Sequence, residues 1–520
     1  EIGDLETSNK STKQYQYIQR FKMVSFTNML MNGSLAAVAG FIIYAIAVFI
    51  HRKWKLRDFS GPFSLPVLGN LWDTEAPKLI VYLRKQSKIH GKMFTFWPGM
   101  SPYLVVIDRH AAREVLSDTK AFVKGTDYTE KFHVAFGDGL VTSNGEAHKE
   151  GRQCLGKFFI KGSIDNKISM MVKECKRMMD EEFEPHLGEE RDIQRFFHLL
   201  ALRIFGRLSV SVDYGAEENI QLANEINDGV KFGSNVIGEH IVLNIPMSNL
   251  LPRVRKLKNI VKFVDNHMDN VIDERLNKMH NGEETPDDIL AALIEEKLPR
   301  DKMHDHLRTL LSAGHDTTAF FGCYMAYLIA QHPAVQDKVK AEVKKVLNGR
   351  TDITPEDINE LKYCRMVIQE TLRLYTIIPF VNRTAIKDYK LKDSGKIIPS
   401  GTIVLVPFGI MARDEEVFED PNTFKPERFE NITQSHSSAK HGYLPFGYGS
   451  RTCIGNTLAL TEGSIMIALL MQRYRFMPVS NFKPQVIAGI SLISKNGIKI
   501  RVEADSDGGA STTAPSSGQP

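Results

Sequence analysis

Cys453 stands in a stretch suited to a metal-binding thiolate. Residues 446–455 read FGYGSRTCIG, with glycines at 447, 449 and 455 and Arg451 two residues before the sulfur. Backbone N–H donors aimed at a sulfur, and a cation beside it, both favour the charged thiolate over the thiol. The glycines allow the chain to wrap closely enough for that. A lone cysteine is usually a small buried hydrophobe, so the signal lies in the whole run. A phosphate loop fits less well: position 452 is Thr where G-x-G-x-x-G requires Gly, and no βαβ pattern surrounds it.

Three further constellations could do chemistry. Residues 301–331 carry apolar residues at helical spacing and lack proline, which predicts one long helix. Its middle reads Ala313-Gly314-His315-Asp316-Thr317-Thr318. Thr317 lies four residues after Ala313, where its hydroxyl can bond the Ala313 carbonyl, and Gly314 is expected to make room for a small ligand such as dioxygen. Glu370 and Arg373 share a helix face at i and i+3, with Pro426-Glu427-Arg428-Phe429 downstream. His148 and Arg152 stand at i and i+4. Each has a plain reading as close packing, a surface ion pair or a solvated cation.

Taken together, these segments resemble the cytochrome P-450 monooxygenases. The run F-x-x-G-x-R-x-C-x-G is similar to that family's heme-ligand loop, A-G-H-D-T-T to its A-G-x-[D/E]-T-T, and E-T-L-R with P-E-R-F to its E-x-x-R and P-E-R-F pair. His148 to Arg152 is similar to the H-x-x-x-R form of a propionate-binding pair that is W-x-x-x-R in many members. The motifs occur in the family's order across residues 61–502. The resemblance implies heme b with Cys453 as axial ligand, a thiolate that pushes electron density toward O–O cleavage. It implies that His148, Arg152, Arg383 and Arg451 face the heme propionates and that Glu370, Arg373 and Arg428 form a buried structural cluster. It also implies that Asp316 and Thr317 supply the protons consumed as dioxygen is reduced.

The implied reaction hydroxylates or epoxidises a lipophilic substrate such as a sterol, fatty acid or xenobiotic. Electrons come from NADPH through NADPH–cytochrome P-450 reductase, with cytochrome b5 as an auxiliary candidate, because no segment resembles a flavin or nicotinamide domain. Lys149 and Lys157 are candidate docking cations. The expected pocket walls are Phe132, Phe136, Leu310, Ala313, Ile378, Phe380, Val381, Ile490 and Leu492, all apolar. Residues 237–251 are expected either to dip into a bilayer as a substrate entrance or to cap the domain. Two other classes fit a related heme site: an isomerase or dehydratase that rearranges a lipid peroxide without dioxygen or reductase, and a non-catalytic heme carrier. The intact Asp316-Thr317 pair favours the monooxygenase.

The elements that must position these groups follow. The resemblance implies a mainly helical domain with a small β-rich lobe. Helical periodicity fills much of residues 162–348, and strand-like runs occur at 93–96, 103–107, 403–406 and 497–502. Residues 35–50 read LAAVAGFIIYAIAVFI without a charge. Extended back to residue 29, this gives 22 residues and about 33 Å of helix, enough to cross a bilayer once. Arg52, Lys53, Lys55 and Arg57 follow, which places the catalytic domain in the cytosol; the endoplasmic reticulum is the expected membrane. The organisation expected is a polar segment 1–28, an anchor 29–50, a basic proline-containing hinge 51–70, a catalytic domain 71–503 and a disordered tail 504–520. The sequons at Asn32 and Asn431 are expected to be unused. Five cysteines without paired spacing exclude a disulfide framework or zinc site, and a net charge of +4 gives no argument for nucleic acid as a partner.

Overall fold

The chain folds around one 32-residue helix, Arg300–Gln331, about 48 Å long at 1.5 Å per residue. From Thr318 to Ala330 every residue is buried. A helix apolar all round must be enclosed on every side, and here the surrounding elements include the helices Gln194–Ser209, Pro333–Leu347, Lys362–Leu374 and Asn456–Arg473 and the strand Tyr474–Pro478. This computed structural model describes residues 38–73, 78–242, 246–430 and 442–505.

Gln194–Ser209 runs antiparallel beside the long helix at the closest approach in the core. A Cβ on Gly322 would stand 2.3 Å from Phe197, and one on Gly314 would stand 2.6 Å from Phe205. At both positions a side chain would force the neighbouring ring to shift. Gly314 therefore serves helix packing, and the expectation that it opens room for a small ligand is corrected. A motif fixes which residues share a helix, but not which neighbour each face meets.

The β lobe is a five-stranded mixed sheet with its own apolar core. Met93–Phe96 pairs antiparallel with Tyr103–Val106, which lies parallel to Ile403–Val406; Val381–Ala385 follows, and Phe122–Val123 closes the far edge. A three-stranded sheet joins Glu190–Asp192, Lys499–Ala504 and Tyr474–Pro478. Two short hairpins complete the strands, Tyr389–Lys390 with Ile397–Ile398 and Val486–Ala488 with Leu492–Ser494. The predicted strand near 497–502 thus begins two residues later.

At the amino-terminal side residues 38–55 are helical, so the basic residues 51–55 continue the helix rather than begin a hinge. Extended chain takes over after residue 59, and Gly69, at φ 58°, packs against the Trp97 carbonyl, where a Cβ would stand 2.1 Å away. Among the described residues no helix is long and apolar enough to cross a membrane. Residues 29–37 of the expected anchor, both sequons and the segments 1–28 and 506–520 lie outside the described residues.

Candidate active site

The Cys453 loop is shaped by two glycines in left-handed conformation, Gly447 at φ 77° and Gly449 at φ 78°. Gly449 is doubly constrained, since a Cβ there would also stand 2.7 Å from the Leu116 carbonyl oxygen. The Cys453 N–H donates to the Phe446 carbonyl at 2.8 Å and closes the loop. Cys453 is the one accessible cysteine; Cys154, Cys175, Cys323 and Cys364 are buried. Its sulfur is open to a bound group yet surrounded by enough protein that desolvation raises the thiol pKa, against which the Gly455 N–H and the Arg152 guanidinium favour the thiolate. Gly455 is the glycine nearest the sulfur, its Cβ direction ending 4.0 Å from Sγ.

Facing this loop is a set of cations drawn from four separate elements. Arg152, on the helix Gly145–Gly156, donates to the Thr452 carbonyl. Arg451 Nη2 donates to Asn144 Oδ1 at 3.0 Å, while its buried Nη1 has no partner. Arg383, on Val381–Ala385, donates to the Asn382 carbonyl at 2.7 Å. Lys124 was not anticipated: it follows the two-residue strand Phe122–Val123, whose pairing of Val123 with Thr384 carries it alongside Arg383. Its Nζ donates to the Val141 carbonyl, and Asn144 brackets its backbone.

The electrostatics of this set are one-sided. Burial, then Arg383 and Arg451, push the Lys124 ammonium well below its ordinary range. Burial, then Arg451, Lys124, Arg152 and Arg383, push His148 down to about 4. Burial, then chiefly Arg383, pushes Arg451 down to about 10. Among the described residues no carboxylate acts on Lys124, His148, Arg152, Arg383 or Arg451. Desolvated like charges are costly without an opposite charge among them. A dianionic heme whose propionates reach this set, with its iron at the accessible Cys453 sulfur, fits the donors present.

On the long helix, the Thr317 hydroxyl donates to the Ala313 carbonyl at 2.6 Å, the bond expected from the spacing. Ala313 is exposed and Thr317 half-buried. Asp316 is buried, and its Oδ2 accepts from Ser491 Oγ at 2.6 Å. Burial raises the Asp316 carboxyl to about 6 against the opposing effects of Ser491 and Lys231. His315 points away from this face, its ring 5.3 Å from that of His198 in the helix–helix interface.

The expected ion cluster is present, with Glu370 and Arg373 fully enclosed and Arg428 at its half-buried edge. Arg373 clasps Glu370 through two bonds, Nε to Oε2 at 2.7 Å and Nη2 to Oε1 at 2.8 Å, and Arg428 Nε reaches Oε1 at 3.0 Å. Remaining donors of Arg373 go to the carbonyls of Ala412, Pro421 and Thr423. Such a cluster gains geometry for a segment that has little regular structure of its own. The Tyr443 hydroxyl adds a second tie, donating to the Gln369 carbonyl at 2.9 Å just ahead of the Cys453 loop.

The expected pocket walls divide. Phe132, Phe136, Phe380 and Ile490 meet in one apolar cluster with Ile237, Ile241 and Leu257. Leu310 and Leu492 belong instead to the main core, Val381 packs against the β lobe and Ile378 is half-buried. In the segment 237–251, Ile237 and Ile241 are buried in the pocket cluster, and Met247 and Leu251 pack on it. Among the described residues of this segment, Leu250 is the large apolar side chain that points strongly outward. Lys149 pairs with Glu146 and Lys157 with Glu296, at 2.8 and 2.9 Å, so neither candidate docking cation is without a carboxylate.

A single accessible thiol beside a set of buried and half-buried cations, together with a long helix that carries an acid–alcohol pair, defines a heme–thiolate class of site. The cytochrome P450 family model, written here cytochrome P-450, matches residues 59–501. The chain is 29% identical to cytokinin hydroxylase of Arabidopsis thaliana, over 82% of this chain and 83% of that protein. It is 25% identical to cytochrome P-450 4d2 of Drosophila melanogaster, over 88% and 97%. It is 27% identical to cyclooctat-9-en-7-ol 5-monooxygenase of Streptomyces melanosporofaciens, over 82% and 91%. The chain belongs to the cytochrome P-450 family and is a monooxygenase. Members carry heme b on a cysteine thiolate and receive electrons from NAD(P)H through a redox partner.

Proposed function

We propose that this monooxygenase holds its heme iron through Cys453 and hydroxylates or epoxidises a lipophilic substrate received in the cluster of Phe132, Phe136, Phe380 and Ile490. The observation that carries the reading is the accessible Cys453 sulfur opposite Lys124, Arg152, Arg383 and Arg451, with neutral His148 beside them and no carboxylate acting on the set among the described residues. Lys124, His148, Arg152, Arg383 and Arg451 would hold the two propionates; His148, neutral at pH 7, would donate a hydrogen bond, and the other four would supply charge as well.

The bound heme supplies dioxygen activation, with one oxygen atom going to substrate and the other to water for two external electrons and two protons. The chain's own residues do the rest. The pocket cluster excludes water and orients an apolar substrate. Asp316 and Thr317 hold protons at the pocket face, with the Asp316 carboxyl poised near neutrality to exchange them. Glu370, Arg373 and Arg428 keep the segment leading to the Cys453 loop in register.

NADPH–cytochrome P-450 reductase is the proposed donor, assisted by cytochrome b5. Residues 29–50 are proposed as a single anchor in the endoplasmic reticulum membrane with the catalytic domain cytosolic. Support comes from the apolar run 35–50 and from the outward apolar side chains of residues 38–50, Phe41, Ile43 and Ile50 among them. The sterol, fatty-acid and xenobiotic classes are separated by titrating the ferric heme spectrum against a panel of each. For a substrate so identified, turnover under ¹⁸O₂ should place one labelled atom in the product and require NADPH and reductase. Full turnover without either would assign the isomerase or dehydratase class instead.

A further inference from the structure

The residue that holds Asp316 lies far along the chain, on a separate element packed against the long helix. Ser491 occupies the turn of the hairpin Val486–Ala488/Leu492–Ser494, is 1% exposed, and spends its hydroxyl proton on Asp316 Oδ2 at 2.6 Å. The turn is fixed from several directions. Leu492 N–H donates to the Ile377 carbonyl at 2.7 Å, and Tyr324, on the same long helix as Asp316, donates its hydroxyl to the Leu492 carbonyl at 3.1 Å. Gly489 N–H donates to the Ser491 carbonyl at 2.9 Å. On the helix Ile220–Val242, Gly238 lets the turn approach so closely that a Cβ there would stand 2.8 Å from Gly489 Cα. Ile490, beside Ser491, packs against the pocket cluster.

We propose that Ser491 is the positioning residue of the proton-carrying acid, fixing the Asp316 carboxylate in the pocket wall through a turn whose next side chain, Ile490, faces the substrate cluster. This rests on the reading of Asp316 given above. The groups acting on that carboxylate are Ser491 from the hairpin and Lys231 from Ile220–Val242, with Cys323 sensing it along its own helix. Ser491 is the one of these that donates a hydrogen bond to it. A donor to a carboxylate favours the ionised form, so loss of the hydroxyl moves the proton equilibrium toward the acid.

The test uses the heme-loaded, full-length protein and two readouts. The first is the pH midpoint of the protonated-carboxyl infrared band that disappears in Asp316→Asn. The second is the solvent isotope effect on NADPH oxidation with reductase, which needs no identified substrate. Ser491→Ala and Ser491→Gly should both raise the infrared midpoint by about one pH unit and change the isotope effect; Ser491→Thr, which keeps the hydroxyl, should restore both. Two variants guard against loss of folding in either, and heme content reports it. An unchanged midpoint in a folded Ser491→Ala or Ser491→Gly protein, with Asp316→Asn altering the isotope effect, would overturn the role of Ser491 and leave that of Asp316. An isotope effect unchanged in Asp316→Asn would overturn both.

Discussion

Lys124, half-buried, and Arg383, buried, lie side by side where two short strands pair, and among the described residues no carboxylate balances either. Their mutual repulsion is acceptable only if an anion completes the set. Lys124→Gln should therefore act in opposite directions on the two forms of the protein. It should weaken heme retention roughly tenfold, the value of one charge-assisted hydrogen bond, and it should stabilise the heme-free chain. Heme transfer to apomyoglobin and thermal denaturation of the apoprotein measure the two effects. Faster melting of the apoprotein would contradict the account.

Glu370 balances both Arg373 and Arg428, with Glu370 and Arg373 fully enclosed. Glu370→Gln keeps the shape and removes the charge, leaving two guanidiniums in low dielectric. The expected destabilisation is about 3–5 kcal/mol, read as a fall in denaturant midpoint and in heme incorporated per chain. Exposed pairs such as Lys149–Glu146 should move stability by well under about 1 kcal/mol.

Gly314 separates packing from ligand access. A methyl group there meets the Phe205 ring at 2.6 Å. Gly314→Ala should cost about 1–3 kcal/mol by overpacking, and Phe205→Leu in the same chain should recover much of it. Carbon monoxide affinity should stay within about twofold throughout. A large loss of gas affinity without loss of stability would restore the ligand-room reading of this glycine.

Glu462, buried on Asn456–Arg473, accepts from Thr318 Oγ1 at 3.0 Å, and burial raises its carboxyl to about 8. A carboxyl whose folded pKa lies above its unfolded value holds its proton longer in the native state. The contribution of Glu462 to stability is therefore greatest below about 4.5 and falls as pH rises from there through about 8, with no further loss above. Glu462→Gln should flatten that slope while changing little at pH 5. Urea denaturation at pH 5, 7 and 9 tests it, and an equal slope in both proteins would contradict the assignment.

Much of the site could be read from residue spacing, because local rules govern it. The Thr317–Ala313 bond and the Glu370–Arg373 pair join residues three or four apart on one helix, and both are present. What spacing does not encode is which partner arrives from elsewhere. Lys124 reaches Arg383 through a two-residue strand too short to leave a pattern, and Ser491 meets Asp316 from 175 positions away. Leu310 and Leu492 have the same apolar character as Phe132 and Ile490, and only tertiary packing divides core from pocket. The role of Gly314 is hidden from the sequence for the same reason: what a position on the helix meets is set by the neighbour, here Phe205.

The central claim is a bond between the Cys453 sulfur and heme iron, and the carbon monoxide complex of the reduced protein tests it directly. The account predicts the red-displaced Soret band of a thiolate-bound heme, abolished in Cys453→Ser and retained when any one of the buried cysteines is replaced. A wild-type protein lacking that band, or a Cys453→Ser protein keeping it, would contradict the assignment.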